Sequence, residues 1–181
     1  MKNKILETAA EMFLSFGFKS VTMDDIAQKM GISKKTIYSH FENKKILVAE
    51  TTLGLFYKIK KGVDRIRSQE HNPILELYEI KKFVHQHLKD EKSAPQYQLN
   101  KYYPLVHKKL VAKQFEVMEA CISANLKKGI AQELYRAEID IAFITRIYFK
   151  GVLGIKDIET FSSEEFNSTY LDRKSTRLNS S

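Results

Sequence analysis

The sequence contains little of what disulfide-stabilised or β-rich proteins need. Its 181 residues include a single cysteine, Cys121, so no disulfide can form within the chain. Seven glycines and three prolines leave few positions for hairpin turns, and no long alternation of apolar and polar residues predicts a strand. These absences favour an all-α fold in a reducing compartment, which we expect to be the cytoplasm.

No run of apolar residues is long enough to predict a membrane span. The most apolar segment, residues 139–155, is interrupted by Asp140, Arg146 and Lys150. It is also shorter than the roughly 20 apolar residues that a spanning helix needs. The N-terminus has no uninterrupted apolar region of the kind found in signal peptides. The sequence therefore predicts no association with a membrane.

The sequence also offers no convincing catalytic, metal or cofactor site. His85 and His87 are two residues apart on a helix, so they point to different faces and do not form a metal clamp. Cys121, His107 and Asn125 could in principle serve as nucleophile, base and orienting group. However, Cys121 lies in an apolar helical pattern, where cysteine usually acts as a small hydrophobic residue. Glycine-rich phosphate loops and zinc-ligand spacings are absent. We expect a protein that is not an enzyme.

Residues 22–41 predict two short helices joined by a tight turn. Thr22 is a favourable N-cap, and Asp25 three residues later completes a capping-box arrangement. Gly31 lies where the chain must turn, because glycine tolerates a left-handed conformation. Ser33 is placed to cap the second helix.

The second helix of this motif has one apolar face and one face of hydrogen-bond donors. Ile37 and Phe41, four residues apart, are expected to anchor it to the core. The other face carries no acidic residue and consists of Lys34, Lys35, Thr36, Tyr38, Ser39 and His40. A formal net charge of +8 agrees with a polyanionic partner. This pattern is typical of a recognition helix that meets the phosphates and base edges of DNA.

This segment resembles the N-terminal helix-turn-helix of the TetR family of bacterial transcriptional regulators. The resemblance extends back to residues 5–18, similar to the family's first helix and the turn after it, and forward to residues 41–48, similar to the start of the fourth helix. The positions that carry it are Ala9, Ala10, Phe13, Gly17, Thr22, Ile26, Ala27, Gly31, Tyr38, His40, Phe41 and Lys44. It implies a DNA-binding domain at residues 1–48 and a helical ligand-binding and dimerisation domain at residues 49–171.

The resemblance also implies roles for individual residues. Those at positions that contact the DNA backbone in the family are Thr22, Tyr38, His40 and Lys44. Those at positions that face base edges are Lys34, Lys35, Thr36 and Ser39. Alternatively, Tyr38 and His40 only pack the domain. Lys35 departs from the small residue that is frequent at its position, which leaves open how closely the helix approaches the groove.

The second domain is expected to bind a small-molecule effector, because effector binding in TetR-like proteins separates the DNA-binding heads and releases the operator. Aromatic and polar residues that could line a pocket between helices are Tyr97, Tyr102, Tyr103, His107, Phe115, Met118, Phe143 and Phe149. The alternative is that these side chains simply fill the core.

Residues 172–181 differ in kind from the rest of the chain. They are polar and aperiodic, and they resemble the translation of a sequencing-library adapter; the alternative is a genuine disordered tail. TetR-like chains typically continue with another long helix, so we expect a truncated C-terminus.

Family members dimerise through this region, so truncation is expected to weaken dimerisation or cause aggregation. The apolar strip then exposed on the helix of residues 139–155 would comprise Ile144, Ile147, Tyr148 and Val152.

Taken together, these patterns predict a ligand-responsive DNA-binding repressor that recognises a palindromic operator as a homodimer. One alternative keeps the same fold but has a protein partner, or no ligand at all. A second alternative belongs to a different class, a helical small-molecule carrier or enzyme whose basic N-terminal region is incidental.

Overall fold

The structure, a computed structural model, describes residues 1–88 and 95–154. Within these ranges the chain forms eight α-helices and no strand, which confirms the all-α fold class. The helices are α1 (Lys2–Phe16), α2 (Met23–Met30), α3 (Lys34–Tyr38), α4 (Lys44–Arg67), α5 (Pro73–Leu88), α6 (Pro95–Tyr102), α7 (Pro104–Ala131) and α8 (Ile141–Gly154). The expected adapter-like tail and the expected truncation lie outside the described residues.

The first three helices and the start of α4 pack around one apolar core, and together we call them the head. Ile37 and Phe41 are completely buried in this core, as the sequence predicts. The buried cluster consists of Ile5, Ala9, Phe13, Phe18, Val21, Met23, Ile26, Ala27, Ile37, Phe41, Leu47, Val48, Leu99, Val106 and Leu110. The last three residues come from α6 and α7, so later helices complete the core of the head.

The buried apolar face of α1 does not extend to the last residue of the helix. Ile5, Ala9 and Phe13 are buried, whereas the side chain of Phe16 is 66% exposed. The helix ends at Phe16, and the chain then turns back toward the core. Phe18 consequently occupies the space next to the apolar stripe and stacks on Phe13 with 5.0 Å between ring centroids.

Gly17 makes this turn possible and also allows α6 to approach. Its backbone dihedral angles, φ 88° and ψ 153°, belong to a region that is almost exclusive to glycine. A Cβ atom at this position would overlap the side-chain amide of Gln98 on α6. The same amide oxygen accepts a hydrogen bond from the backbone N–H of Lys19 at 3.2 Å. The turn after α1 is therefore closely packed against α6.

Substituting Gly17 by alanine is expected to lower the free energy of unfolding by about 1–3 kcal/mol, because the new Cβ atom meets both backbone strain and Gln98. Gly54 is the matched control: it lies in α4, and a Cβ atom there would contact nothing within 4 Å. Gly54→Ala is expected to raise stability by about 0.5–1 kcal/mol, because alanine favours helix. Urea denaturation followed by circular dichroism measures both, and equal effects would contradict this description of the turn.

Helix α4 continues without a break from the head into the remaining helices, which we call the body. It spans Lys44–Arg67 and so crosses the boundary expected between residues 48 and 49. Its far end packs on α5 and α7. The two expected domains are thus joined by a single helix rather than by a flexible linker.

A buried polar network holds α5 against α7. Asn125 of α7 donates hydrogen bonds to the carbonyl oxygen of Pro73 and to Oε1 of Glu76, both at 2.9 Å. The hydroxyl of Tyr135 donates to Oδ1 of Asn125 at 3.2 Å. The ring of Tyr135 lies directly on Gly129, where a Cβ atom would leave no room. Burial and the charge of Glu76 raise the pKa of the Tyr135 hydroxyl, which keeps it protonated as a donor.

Helix α8 packs on α7 and leaves an apolar strip exposed. Phe149 is buried against Phe115, with 5.0 Å between ring centroids. Ile144, Ile147 and Tyr148, three members of the expected strip, are 40–54% exposed. The side chain of Val152, the fourth member, lies outside the described residues. No helix in residues 1–88 or 95–154 is both long and apolar enough to cross a membrane.

Candidate nucleic-acid interface

The start of α2 is fixed by reciprocal hydrogen bonds between Thr22 and Asp25. The hydroxyl oxygen of Thr22 accepts from the backbone N–H of Asp25 at 3.1 Å, and a carboxylate oxygen of Asp25 accepts from the backbone N–H of Thr22 at 2.8 Å. This confirms the capping box. These bonds lower the pKa of the Asp25 carboxyl. The Thr22 hydroxyl also donates to Asp25 at 2.8 Å, so a DNA phosphate would compete with this carboxylate for the same hydrogen.

The turn between α2 and α3 has the geometry that the sequence predicts. Gly31 adopts a left-handed conformation with φ 64° and ψ 30°. The oxygen of the Ser33 side chain accepts a hydrogen bond from the backbone N–H of Thr36 at 3.1 Å and so caps α3. Helix α3 has only five residues, so these local bonds and the burial of Ile37 determine its orientation.

The predicted DNA-contacting residues of α3 lie on its outer side. Ile37 faces the core, while Lys34, Lys35, Tyr38, Ser39 and His40 are exposed and Thr36 is half-buried. The hydroxyl of Ser39 donates to the backbone oxygen of Thr36 at 2.8 Å, and the two hydroxyls of Ser33 and Thr36 are also 2.8 Å apart. Six of the eight predicted residues therefore lie in the short segment of residues 34–40, and five of these six are exposed.

An acidic residue of the neighbouring helix also reaches this surface. Asp24 of α2 forms an ion pair with Lys34. The hydrogen bond to Asp24 raises the pKa of the Lys34 ammonium. The outer face of α3 itself carries no acid, but Asp24 of the neighbouring helix is placed to compete with a DNA phosphate for Lys34. Lys35 is exposed and takes part in none of the ion pairs found in the described part of the chain.

Lys44, the first residue of α4, has a structural contact in addition to its predicted one with DNA. Its ammonium donates to the backbone oxygen of Lys19 at 3.1 Å, which ties α4 to the turn after α1. Partial burial lowers the pKa of Lys44, and the negative charge of Asp25 opposes this effect. The sequence gives no indication of this contact, because Lys19 and Lys44 lie far apart along the chain.

The eight predicted ligand-binding residues do not line one pocket. Phe115 and Phe149 pack together and border an open depression between α7 and α8 of about 380 Å³. Residues lining this depression are Val111, Ala112, Phe115, Arg146, Phe149 and Lys150.

The other six predicted residues occupy different places. Tyr103 packs beside Phe18 at the junction of head and body, with 6.3 Å between ring centroids. Tyr97 and Tyr102 lie on the surface of α6, and Phe143 is 58% exposed on α8. His107 and Met118 are half-buried on α7, and burial lowers the pKa of the His107 ring.

Sequence reasoning missed several buried polar groups in the body. In the described residues, four buried side-chain oxygens have no hydrogen-bond partner, those of Thr51, Thr52, Gln96 and Gln114. No sequence signal distinguishes these residues from solvent-exposed threonines and glutamines.

No group of three or more potential metal ligands occurs within residues 1–88 and 95–154.

Comparison with known proteins yields one family-model match in the N-terminal part of the chain and relatives that match parts of the chain. Residues 5–51 match the family model described as bacterial regulatory proteins, tetR family. An uncharacterized HTH-type transcriptional regulator of Bacillus subtilis, YhgD, is 40% identical over 63 residues, which are 35% of this chain and 33% of that protein. The biofilm operon icaADBC HTH-type negative transcriptional regulator IcaR of Staphylococcus aureus is 29% identical over 80 residues, 44% of this chain and 43% of that protein. The matched stretches therefore span less than half of these relatives.

The overall fold has relatives that extend beyond the head. A crystal structure of a TetR-family transcriptional regulator from Agrobacterium tumefaciens superposes with a TM-score of 0.75 at 19% sequence identity. The superposition covers 97% of this chain and 96% of that one. At such low identity this likeness establishes the fold alone.

Proposed function

We propose that the chain is a DNA-binding transcriptional regulator, because residues 5–51 match the family model described as bacterial regulatory proteins, tetR family. The observation that carries this proposal is the exposed surface of α3, where lysines and hydroxyls stand opposite the buried Ile37. Capped helices hold this surface rigid, as recognition of a groove requires. We assign it to repression, by analogy with the S. aureus relative, whose name describes a negative regulator. The role also implies a cytoplasmic location and no enzymatic activity.

The proposed regulator acts as a homodimer on a palindromic operator. The exposed strip of α8, including Ile144, Ile147 and Tyr148, supports self-association, because contiguous apolar patches of this kind commonly mark interfaces. A two-fold dimer would place two α3 helices about one DNA turn apart, roughly 34–36 Å.

A small-molecule effector is the proposed signal. The depression beside Phe115 and Phe149 supports this part of the proposal, because its lining combines two rings with the cations Arg146 and Lys150. A regulator of the same fold without such a ligand is the second candidate. The scatter of the other predicted ligand residues over α6, α7 and α8 favours that candidate.

Selection from a library of random DNA duplexes tests the DNA-binding role. The wild-type protein is expected to enrich a palindrome. Thr36→Ala and Lys34→Ala are each expected to change the preferred sequence, because a good base contact contributes about 1–3 kcal/mol of discrimination. Lys44→Ala is expected to weaken all sequences alike, because it removes a backbone contact and the tie to Lys19.

Lys61→Ala is the control for this selection, because Lys61 is exposed on α4 outside the head. It should leave both the affinity and the preferred sequence unchanged. An unchanged preference in both Thr36→Ala and Lys34→Ala would mean that the base-facing side of α3 has been wrongly assigned. Enrichment of no sequence by the wild-type protein would count against the proposed function itself.

A further inference from the structure

Four residues at the junction of head and body form an exposed ridge of cations and aromatic rings. This basic–aromatic ridge consists of Lys19, Tyr97, Lys101 and Tyr102. The ammonium of Lys19 lies 5.5 Å from the ring centroid of Tyr102, and that of Lys101 lies 5.7 Å from the same ring. Lys101 also lies 5.5 Å from the ring centroid of Tyr97 and donates to its hydroxyl at 3.4 Å. The rings thereby hold two positive charges close together at the surface.

The chain around the ridge has an unusual charge distribution. Residues 95–115 contain four lysines and no aspartate or glutamate. Within the described residues, neither Lys19 nor Lys101 pairs with a carboxylate. The hydrogen bond to Tyr97 and the contact with Tyr102 raise the pKa of the Lys101 ammonium further above neutral pH. The ridge therefore presents positive charge that no acid among the described residues neutralises, in contrast to Lys34 on α3.

The ridge is rigidly attached to the predicted DNA-contacting surface. The backbone oxygen of Lys19 accepts the hydrogen bond from Lys44, and its backbone N–H donates to Gln98 of α6. Lys19 is thus held between the start of α4 and helix α6. Leu99 of the same helix is buried in the core of the head. The position of α6 relative to α3 is consequently fixed by packing, and the ridge forms a lateral extension of the head.

We propose that the basic–aromatic ridge contacts the phosphate backbone of DNA outside the half-site that α3 reads. This inference rests on the proposed DNA-binding function and extends its footprint. Phosphate oxygens accept hydrogen bonds from ammonium groups and from tyrosine hydroxyls, and the ridge supplies both kinds of donor. Such contacts read no sequence, but each one releases counterions and adds affinity. Continuity with Lys44, a predicted backbone contact, favours DNA over other polyanions.

The test compares two duplexes that contain the palindrome selected by the wild-type protein. One ends at the palindrome, and the other carries about 10 additional base pairs, one helical turn, on each side. The wild-type protein is expected to bind the longer duplex more tightly. The double variant Lys19→Gln/Lys101→Gln should bind the short duplex as tightly as the wild-type protein does. It should lose the advantage of the longer duplex, that is, it should bind the longer duplex no more tightly than the short one. For binding to the longer duplex, the logarithm of the binding constant should fall less steeply with the logarithm of the salt concentration. The slope should be shallower by about 0.9 for each phosphate that the variant leaves without an ammonium partner.

Two matched variants separate this effect from a general change in charge. Lys19→Arg/Lys101→Arg retains both charges and should retain the advantage of the longer duplex. Lys61→Gln/Lys127→Gln removes the same charge from exposed positions of the body and should also retain it. The proposal would be overturned if Lys61→Gln/Lys127→Gln no longer bound the longer duplex more tightly than the short one. It would also be overturned if Lys19→Gln/Lys101→Gln still did so.

Two further outcomes distinguish the ridge from the proposed function. If the wild-type protein binds the short duplex but gains nothing from flanking DNA, the ridge proposal fails and the regulator proposal stands. If it binds neither duplex, both fail. Vesicles containing anionic phospholipid provide an additional comparison: binding to them through Lys19 and Lys101, without any flank effect on DNA, would overturn the DNA proposal and assign the ridge to a membrane surface instead.

Discussion

Raising the salt concentration from roughly 50 to 200 mM is expected to weaken operator binding by about 10³-fold or more. The reason is electrostatic. Lys35, Lys44 and Lys45 lie on or beside the proposed DNA-contacting surface of the head, so the proposed dimer would bring about six ammonium groups to the phosphates. Each contact releases condensed counterions, which becomes less favourable as bulk salt rises. Fluorescence anisotropy of a labelled palindromic duplex measures the slope, and equal affinity at both salt concentrations would refute this account.

The ion pair between Asp24 and Lys34 provides a second test of the electrostatic contribution to DNA binding. Asp24→Asn removes the carboxylate that neutralises Lys34 in the free protein. If Lys34 contacts DNA, the variant should bind more tightly at low salt, because no ion pair must be broken. An exposed pair of this kind contributes little to folding, so the variant should fold normally. Weaker binding by a folded Asp24→Asn protein would show that Asp24 orients Lys34 for DNA rather than competing with it.

Replacing Phe41 by alanine is expected to lower the free energy of unfolding by about 3–5 kcal/mol. The side chain is completely buried at the junction of α3 and α4. Its removal would leave a cavity beside Ile37 and Leu47, both of which belong to the same core cluster. Since small domains are stable by only about 5–15 kcal/mol, this loss is a large part of the total, and the variant should unfold at a much lower urea concentration than the wild type. DNA binding should fall in proportion to the folded fraction.

Phe16 offers a matched control for this substitution. It is also a phenylalanine of the head, but its side chain is 66% exposed. Phe16→Ala is therefore expected to change the free energy of unfolding by less than about 0.5 kcal/mol. Thermal and urea denaturation of both variants would make the comparison. Similar losses in the two proteins would show that the burial pattern at the end of α1 is incorrect.

The local structure of the head could be predicted from sequence because its signals are local. The Thr22–Asp25 capping box, the left-handed Gly31 and the Ser33 cap each depend on residues within three or four positions of one another. Helical spacing likewise predicts that Ile37 and Phe41 are buried. Such features follow from backbone geometry and short-range hydrogen bonding, which a single sequence specifies well.

Features that depend on the angle between helices could not be predicted. The pairing of Asp24 with Lys34 requires the relative orientation of α2 and α3, and the contact of Lys44 with Lys19 joins residues 25 positions apart. Burial of Glu76 beside Asn125 depends on the packing of α5 on α7, whereas a glutamate near a helix start is ordinarily exposed. Tertiary contacts decide each of these cases, and neither propensity nor periodicity contains that information.

The contribution of α6 and α7 to the core of the head has a consequence for protein engineering. Because Leu99, Val106 and Leu110 complete that core, the head is not a portable module. A chimera that joins residues 1–48 to the sensory half of another regulator would lack these three side chains and the fit between Gly17 and Gln98. Transferring the proposed operator specificity of this chain would require redesigning the head together with the residues of α6 and α7 that pack on it. The alternative is to graft only the outer residues of α3.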